Sequence, residues 1–196
     1  MKKQLFNTKY YTTEELKNCG FRKIGKNVKI HENINLVGIE NISIGSNVRI
    51  DPYASIVASG PIHIGSFIHI GSYCSLIGAE GIFMDDFSGL SQGVKIYTKS
   101  DDYSGLHLTN PTVSNKYTNA QRGPVVLKKH VIIGSGTVIL PGIEIGVGVS
   151  IGALSLVNRS LKEWGIYSGI PVKRLKNRSK NLLKLEKEFL EMVKED

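Results

Sequence analysis

Along most of this chain an aliphatic residue returns at every sixth position. Ile24, Ile30 and Leu36 form one triplet, followed by Ile44, Ile50 and Ile56, by Ile64, Ile70 and Leu76, and by Met84, Leu90 and Ile96. The step is six within a triplet and eight between triplets, so the pattern repeats every 20 residues through four turns. From Leu127 the sixfold step runs without a gap through Ile133, Ile139, Ile145 and Ile151 to Val157. An α-helix needs a period of about 3.6 and a lone amphipathic strand a period of about 2. Neither yields six.

Four positions after each aliphatic residue stands a small or apolar one: Val28, Ile34, Val48, Ala54, Ile68, Cys74, Ser88 and Val94. Glycine often follows the aliphatic residue directly, as at Gly25, Gly45, Gly65, Gly134, Gly146 and Gly152. Three short strands per coil satisfy both spacings, each sending one aliphatic side chain inward and turning at a small residue. Stacked coils then align like residues in ladders, such as Ile30, Ile50, Ile70 and Leu90, and bury a continuous core. The expected fold is an all-β solenoid, a left-handed parallel β-helix of hexapeptide repeats over residues 24–159. The two extra residues of each longer coil fall at 38–41, 58–61 and 78–81, which read as one protruding corner.

Residues 1–23 read as a cap on the first coil. Thr12 or Thr13 with Glu15 resembles a capping box, and Gly20 is expected to end the short helix. Residues 160–196 form a C-terminal extension, where Leu182, Leu185, Phe189 and Val193 recur at three and four. That spacing marks an amphipathic helix, packed on the solenoid or on a neighbouring subunit. Between Ile96 and Leu127 the rhythm breaks into an excursion over residues 97–126. Long excursions from a rigid scaffold are where binding and catalytic groups sit.

Composition narrows the function classes. At 41% hydrophobic and 21% charged residues the chain is not of the disordered type. It has no apolar run of membrane-spanning length, and MKKQLFNTKYYTTEEL lacks a signal-type apolar core, so a cytoplasmic protein is expected. The net charge of +8 is not laid out as a basic stripe with interleaved aromatics, so nucleic acid is not the expected partner. Much of it follows Pro171, in Lys173, Arg174, Lys176, Arg178 and Lys180, where the phosphates of a small ligand would account for it. Cys19 and Cys74 make no CxxC, and His31, His63, His69, His107 and His130 show no metal-ligand spacing, so no metal is expected. The register points His31, His63 and His69 outward and Cys74 into the core. Phe67, Tyr73 and Phe87 also fall at outward positions, where burial against other subunits is expected.

The hexapeptide rhythm, the loop between coils and the ending Tyr167-Ser168-Gly169-Ile170-Pro171-Val172-Lys173 resemble the hexapeptide-repeat acyltransferases, over roughly residues 20–176. Three segments are most similar to the N-acyltransferases acting on dTDP-4-amino-4,6-dideoxyglucose in the viosamine and anthrose pathways. They are Ser100-Asp101-Asp102-Tyr103-Ser104-Gly105, Asn110-Pro111-Thr112-Val113-Ser114-Asn115-Lys116-Tyr117 and Leu127-Lys128-Lys129-His130-Val131-Ile132-Ile133-Gly134. The resemblance implies transfer of an acetyl or similar short acyl group from acyl-CoA to the amine of a nucleotide-linked amino sugar, for surface polysaccharide synthesis. It also implies a homotrimer with active sites in the clefts between neighbouring prisms.

One departure from the wider family is informative. Galactoside and maltose acetyltransferases carry a catalytic histidine soon after the coil matching residues 84–96, and here Asp101 takes its place beside Ser100 and Asp102. A hydroxyl acceptor needs a positioned base as it attacks, whereas a free amine is already nucleophilic. The departure favours N-acylation over O-acylation. Asp102 is the expected amine-contacting base, with Asp101 in reserve and His107 as a further candidate. Ser91 and Gln92, on the coil leading into the loop, are candidate hydrogen-bond partners for the substrate. Ser135, Ala153 and Asn158 match family positions along the pantetheine arm of coenzyme A, and Lys173 and Lys176 match basic residues near its adenosine phosphates. Other readings are an O-acetyltransferase of a sugar or glycan hydroxyl, a non-catalytic β-helix scaffold, or a carbonic-anhydrase-like protein. The last requires three histidines around zinc, and His63 and His69 lack a third partner in register.

Overall fold

The computed structural model describes residues 9–195. Its centre is a three-faced solenoid whose strands pair parallel from one coil to the next. The first face holds Lys23–Ile24, Ile42–Ile44, Ile62–Ile64, Ile82–Met84, Val125–Leu127 and Glu144–Ile145. The second holds Val28–His31, Val48–Ile50, Ile68–Ile70, Gly89–Leu90, Ile132–Ile133 and Ser150–Ile151. It gains the N-terminal strand Tyr10–Tyr11 at one end and Gly165–Ser168 with Lys173–Asn177 at the other. The third holds Asn35–Val37, Ser55–Val57, Ser75–Ile77, Lys95–Tyr97, Val138–Ile139 and Leu156–Val157.

Registers such as Ile30 with Ile50 and Ile50 with Ile70 place like residues in file. Nearly all of the sixfold aliphatic positions are buried, with Ile30, Ile50, Ile70, Leu76 and Ile96 fully so, and only Ile24 and Leu36 of the first coil are partly open. Cys74 sits in this core as expected, its thiol donating to the Ser91 carbonyl, and burial pushes its pKa up to about 11. The coils approach closely at their turns. A Cβ on Gly134 would lie 2.4 Å from the Ala153 nitrogen, so a larger residue there would force neighbouring coils apart.

The corners rest on residues that the periodicity does not reveal. Between the first and second faces, Asn27, Asn47, Phe67, Phe87, His130 and Trp164 all adopt left-handed backbone with positive φ. Stacking across coils supports this unusual set: Phe67 lies 4.6 Å from Phe87, which lies 5.4 Å from His130. A second file of hydrogen bonds runs beside it, from Ser46 nitrogen to Ser66 Oγ at 3.1 Å and from Ser66 nitrogen to Asp86 Oδ1 at 2.7 Å.

Helix α1 (Thr13–Lys17) covers the first coil and carries the expected capping box between Thr12 and Glu15. It ends at an Asn18 cap, and Gly20, at φ +99, turns the chain two residues later. Residues 1–8 of the expected N-terminal cap lie outside the described residues. The outward position expected for His31 is corrected: the side chain is buried at 3% exposure. The strand Tyr10–Tyr11 pairs against Val28–His31 and lays the Tyr10 ring edge-on over the imidazole at 5.0 Å. Helix α2 (Leu182–Glu195) lies against the aromatic corner, where Phe189 meets Phe67 at 5.4 Å. Phe67 and Phe87 are therefore covered in part by their own chain, while Tyr73 stacks on Tyr53 and stays 64% exposed.

Candidate active site

The excursion leaves the third face after Lys95–Tyr97 and returns at Val125–Leu127. At its base Thr98 is fully buried, its hydroxyl accepting the Ala79 N–H at 2.7 Å and donating to the Ile77 carbonyl at 3.0 Å. Above that anchor Lys99–Ser100 pairs antiparallel with Gln121–Arg122, which narrows the neck of the loop. The acidic pair sits just beyond this ribbon.

Asp101 and Asp102 do different things there. Asp101 Oδ2 accepts the Asn110 backbone N–H at 3.2 Å. Asp102 Oδ1 accepts the Ser104 N–H at 2.7 Å, and its Oδ2 lies 2.9 Å from His107 Nδ1. Hydrogen bonds from Ser104, then from His107, hold the Asp102 carboxyl at a pKa of about 2. A carboxylate of that acidity stays ionised at neutral pH and has little affinity for a further proton. With Nδ1 turned to Asp102, His107 keeps Nε2 as its second ring nitrogen, and it is exposed enough to meet a ligand. Asp101, Asp102 and His107 line one hollow with Ser104 and Gln121, backed by Leu140 and Leu156 of the later coils.

Ser91, Gln92 and Ser135 lie elsewhere, together in a groove with His69, Gly71, Gly89 and Ile132 at the corner between the second and third faces. Gly136 and Gly93 keep this corner bare, and Ala153 continues it one coil further. Asn158 is exposed just past Leu156–Val157. Lys173 and Lys176 are exposed on the last strand of the second face, opposite Ser168 and Ile166. A single chain thus gathers the loop acids with His107, and separately gathers Ser91, Gln92 and Ser135, without bringing the two sets into one hollow. Sequence reasoning missed the Asp102–His107 bond, although a spacing of five within a turn-rich segment permits it. It also missed His69, whose place in the groove comes from register alone.

The chain matches no family model. It is 42% identical over 181 residues to the dTDP-4-amino-4,6-dideoxy-D-glucose acyltransferase of Escherichia coli, covering 92% of this chain and 94% of that enzyme. It belongs to this family of acyltransferases. The fold agrees: AntD, an N-acyltransferase from Bacillus cereus solved with dTDP and 3-hydroxybutyryl-CoA, superimposes with a TM-score of 0.91 at 45% identity, over 94% of this chain and 98% of that one. A serine variant of AntD, solved with dTDP-4-amino-4,6-dideoxyglucose and coenzyme A, gives 0.91 at 43% identity, over 95% and 100% of the two chains. The acyltransferase solenoid is accordingly the left-handed β-helix. Among its described residues no helix is long and apolar enough to cross a membrane, and no three His, Cys, Asp or Glu side chains group as metal ligands.

Proposed function

We propose that this acyltransferase moves an acetyl or similar short acyl group from coenzyme A to the amine of dTDP-4-amino-4,6-dideoxyglucose. The observation that carries the reading is the near full-length identity to an enzyme named for that sugar, joined to a fold that holds dTDP, the amino sugar and coenzyme A in AntD. The amine attacks the thioester carbonyl, the carbon–sulfur bond breaks, and coenzyme A leaves as its thiol. The proton that nitrogen sheds passes to His107 Nε2 and from there to the departing sulfur, with Asp102 fixing the imidazole by its 2.9 Å bond to Nδ1. In this reading Asp102, bonded to Nδ1, serves as the anchor of the imidazole in place of the base expected there. Asp101 then orients the amine.

Ser91 and Gln92 bind the acceptor, Ser135, Ala153 and Asn158 line the pantetheine arm, and Lys173 and Lys176 receive the adenosine phosphates. Forms of AntD have been solved with replacements at a serine and at an aspartate ten positions later. Ser91 and Asp101 share that spacing here, as do Ser75 and Asp85, and only Asp101 of these belongs to the loop. The separation of loop and groove within one chain supports a homotrimer, in which the loop of one copy closes the groove of the next. We place the work in the cytoplasm and the product in surface polysaccharide synthesis. Release of free thiol, screened over dTDP-linked 4-amino sugars and their 4-hydroxy counterparts, tests the reading. Thiol release with the hydroxy compounds alone would make the protein an O-acyltransferase instead.

A further inference from the structure

The outward residues of the second face form one unbroken row. The registers run Lys29 to Arg49 to His69, then Gly89, Ile132, Ser150 and Ile166, and end on Lys176. Cationic or imidazole side chains hold both ends, and the small, uncharged Gly89 lies between them, next to Leu90 and Ser91. Three hollows meet at His69: the Ser91–Gln92–Ser135 groove, the one under α2, and one reaching down past Arg49 and Lys29 to Asn27.

The lower end is built rather than merely basic. Asp51, with only 12% of its side chain exposed, bonds Arg49 Nε through Oδ1 and His69 Nε2 through Oδ2, both at 2.7 Å. Tyr10 adds its hydroxyl to Oδ1 at 2.9 Å and accepts Arg49 Nη2 at 3.1 Å. Burial pushes the Asp51 carboxyl up, but the bonds from His69, Arg49 and Tyr10 outweigh it and keep the group ionised. The result is a recessed anion that fixes the rotamers of two half-exposed side chains. Among the described residues Arg49 Nη1, His69 Nδ1 and Lys29 Nζ make no hydrogen bond or ion pair. Arg49 Nη1 is thereby a donor fixed in advance, and His69 Nδ1, held in place by the Nε2 bond, donates when the ring carries both protons, which removes the ordering cost that a flexible cation would add on binding.

We propose that Arg49 and His69, extended by Lys29, bind the diphosphate of the nucleotide-linked acceptor. The proposal rests on the acceptor reading above and adds to it the subsite for the activated end of the sugar. Coenzyme A also carries a diphosphate, and the row separates the two. Successive coils are spaced by about 4.8 Å, so His69 lies one coil and Arg49 two coils below Ser91. One sugar ring and its anomeric oxygen span such a distance. Lys173 and Lys176 lie at the far end of the same face, beyond Ser135 and Ala153. Two anionic substrates would enter from opposite ends and meet, amine to thioester, over Gly89 and Ser91.

Calorimetric titration of the intact protein with dTDP and, separately, with coenzyme A tests this. Arg49→Ala and His69→Ala are each expected to weaken dTDP about tenfold, as for a lost charge-assisted bond, and to leave coenzyme A within about twofold. In turnover the Michaelis constant for the nucleotide sugar should rise while kcat at saturation holds. Lys29→Ala, which removes no core contact, gives a second reading if the Asp51 cluster proves essential for folding, and should weaken dTDP severalfold. Retention of wild-type dTDP affinity by Lys29→Ala and by every folded variant of Arg49 and His69 would overturn the proposal, as would loss of coenzyme A in place of dTDP. A wild-type protein that binds no dTDP refutes the acceptor reading itself, and the diphosphate subsite with it.

Discussion

His107 Nδ1 stands 2.9 Å from Asp102 Oδ2, in a loop where the same carboxylate already accepts the Ser104 N–H. The bond couples a carboxylate held near pKa 2 to an imidazole, and on the proposed mechanism the pair acts as anchor and base. His107→Ala should lower turnover about a hundredfold or more. The loss should narrow as pH rises, because more acceptor then arrives as free amine. Asp102→Asn keeps the imidazole but loses its anchor, and a smaller drop is expected. Rate profiles from about pH 6 to about pH 9 check both variants, a range in which Asp102 stays ionised. Full activity of both would refute the assignment.

Lys173 and Lys176 are expected to act on the donor alone. Each change to alanine should raise the Michaelis constant for acyl-coenzyme A about fivefold, as for about 1 kcal/mol of lost contact. A donor lacking the 3′-phosphate should respond less. Unchanged donor kinetics in both variants would move the phosphate site elsewhere.

The division between loop and groove predicts complementation between copies. Light scattering should return three times the 21.6 kDa chain mass. Co-refolding Ser91→Ala chains with His107→Ala chains should restore activity that neither has alone, since some mixed sites pair an intact groove with an intact loop. A fully active monomer would contradict the shared site.

Glu186 fastens α2 to the solenoid, meeting Lys129 at 2.5 Å and His130 Nε2 at 2.9 Å. Burial raises its pKa, but the bonds from Lys129 and His130 outweigh this and leave it below the usual carboxylate range. A lowered folded pKa means stabilisation that is present above the unfolded value and lost as pH falls through the folded one. Glu186→Gln should therefore melt several degrees below wild type at neutral pH, with the gap closing below about pH 4. A gap independent of pH would mean that the carboxylate's charge plays no part.

The solenoid was legible because each inward position is one residue whose identity no other fold demands at a period of six. Ile30, Ile50 and Ile70 announce a ladder on their own. The loop acids and His107 were legible as a cluster because they interrupt that period together. The left-handed corners at Phe67, Phe87 and Trp164 were not, since that backbone is ordinarily marked by glycine or asparagine, and here Phe67 and Phe87 stack on the rings of the next coil. His31 was misread because a strand from outside the repeat covers it. Asp51 and His69 are 18 positions apart, and nothing local in either segment says that they touch.

Parallel pairing from coil to coil also makes the molecule a ruler. Groups on one face can be separated only by whole coils, in increments of about 4.8 Å. A relative that gains or loses one coil of 20 residues below Ser91 keeps every inward residue in register, yet shifts everything beneath by one increment. Reach toward a longer or shorter activated sugar would therefore change in discrete steps. A point substitution could alter which group is held at a step, but not the distance between steps.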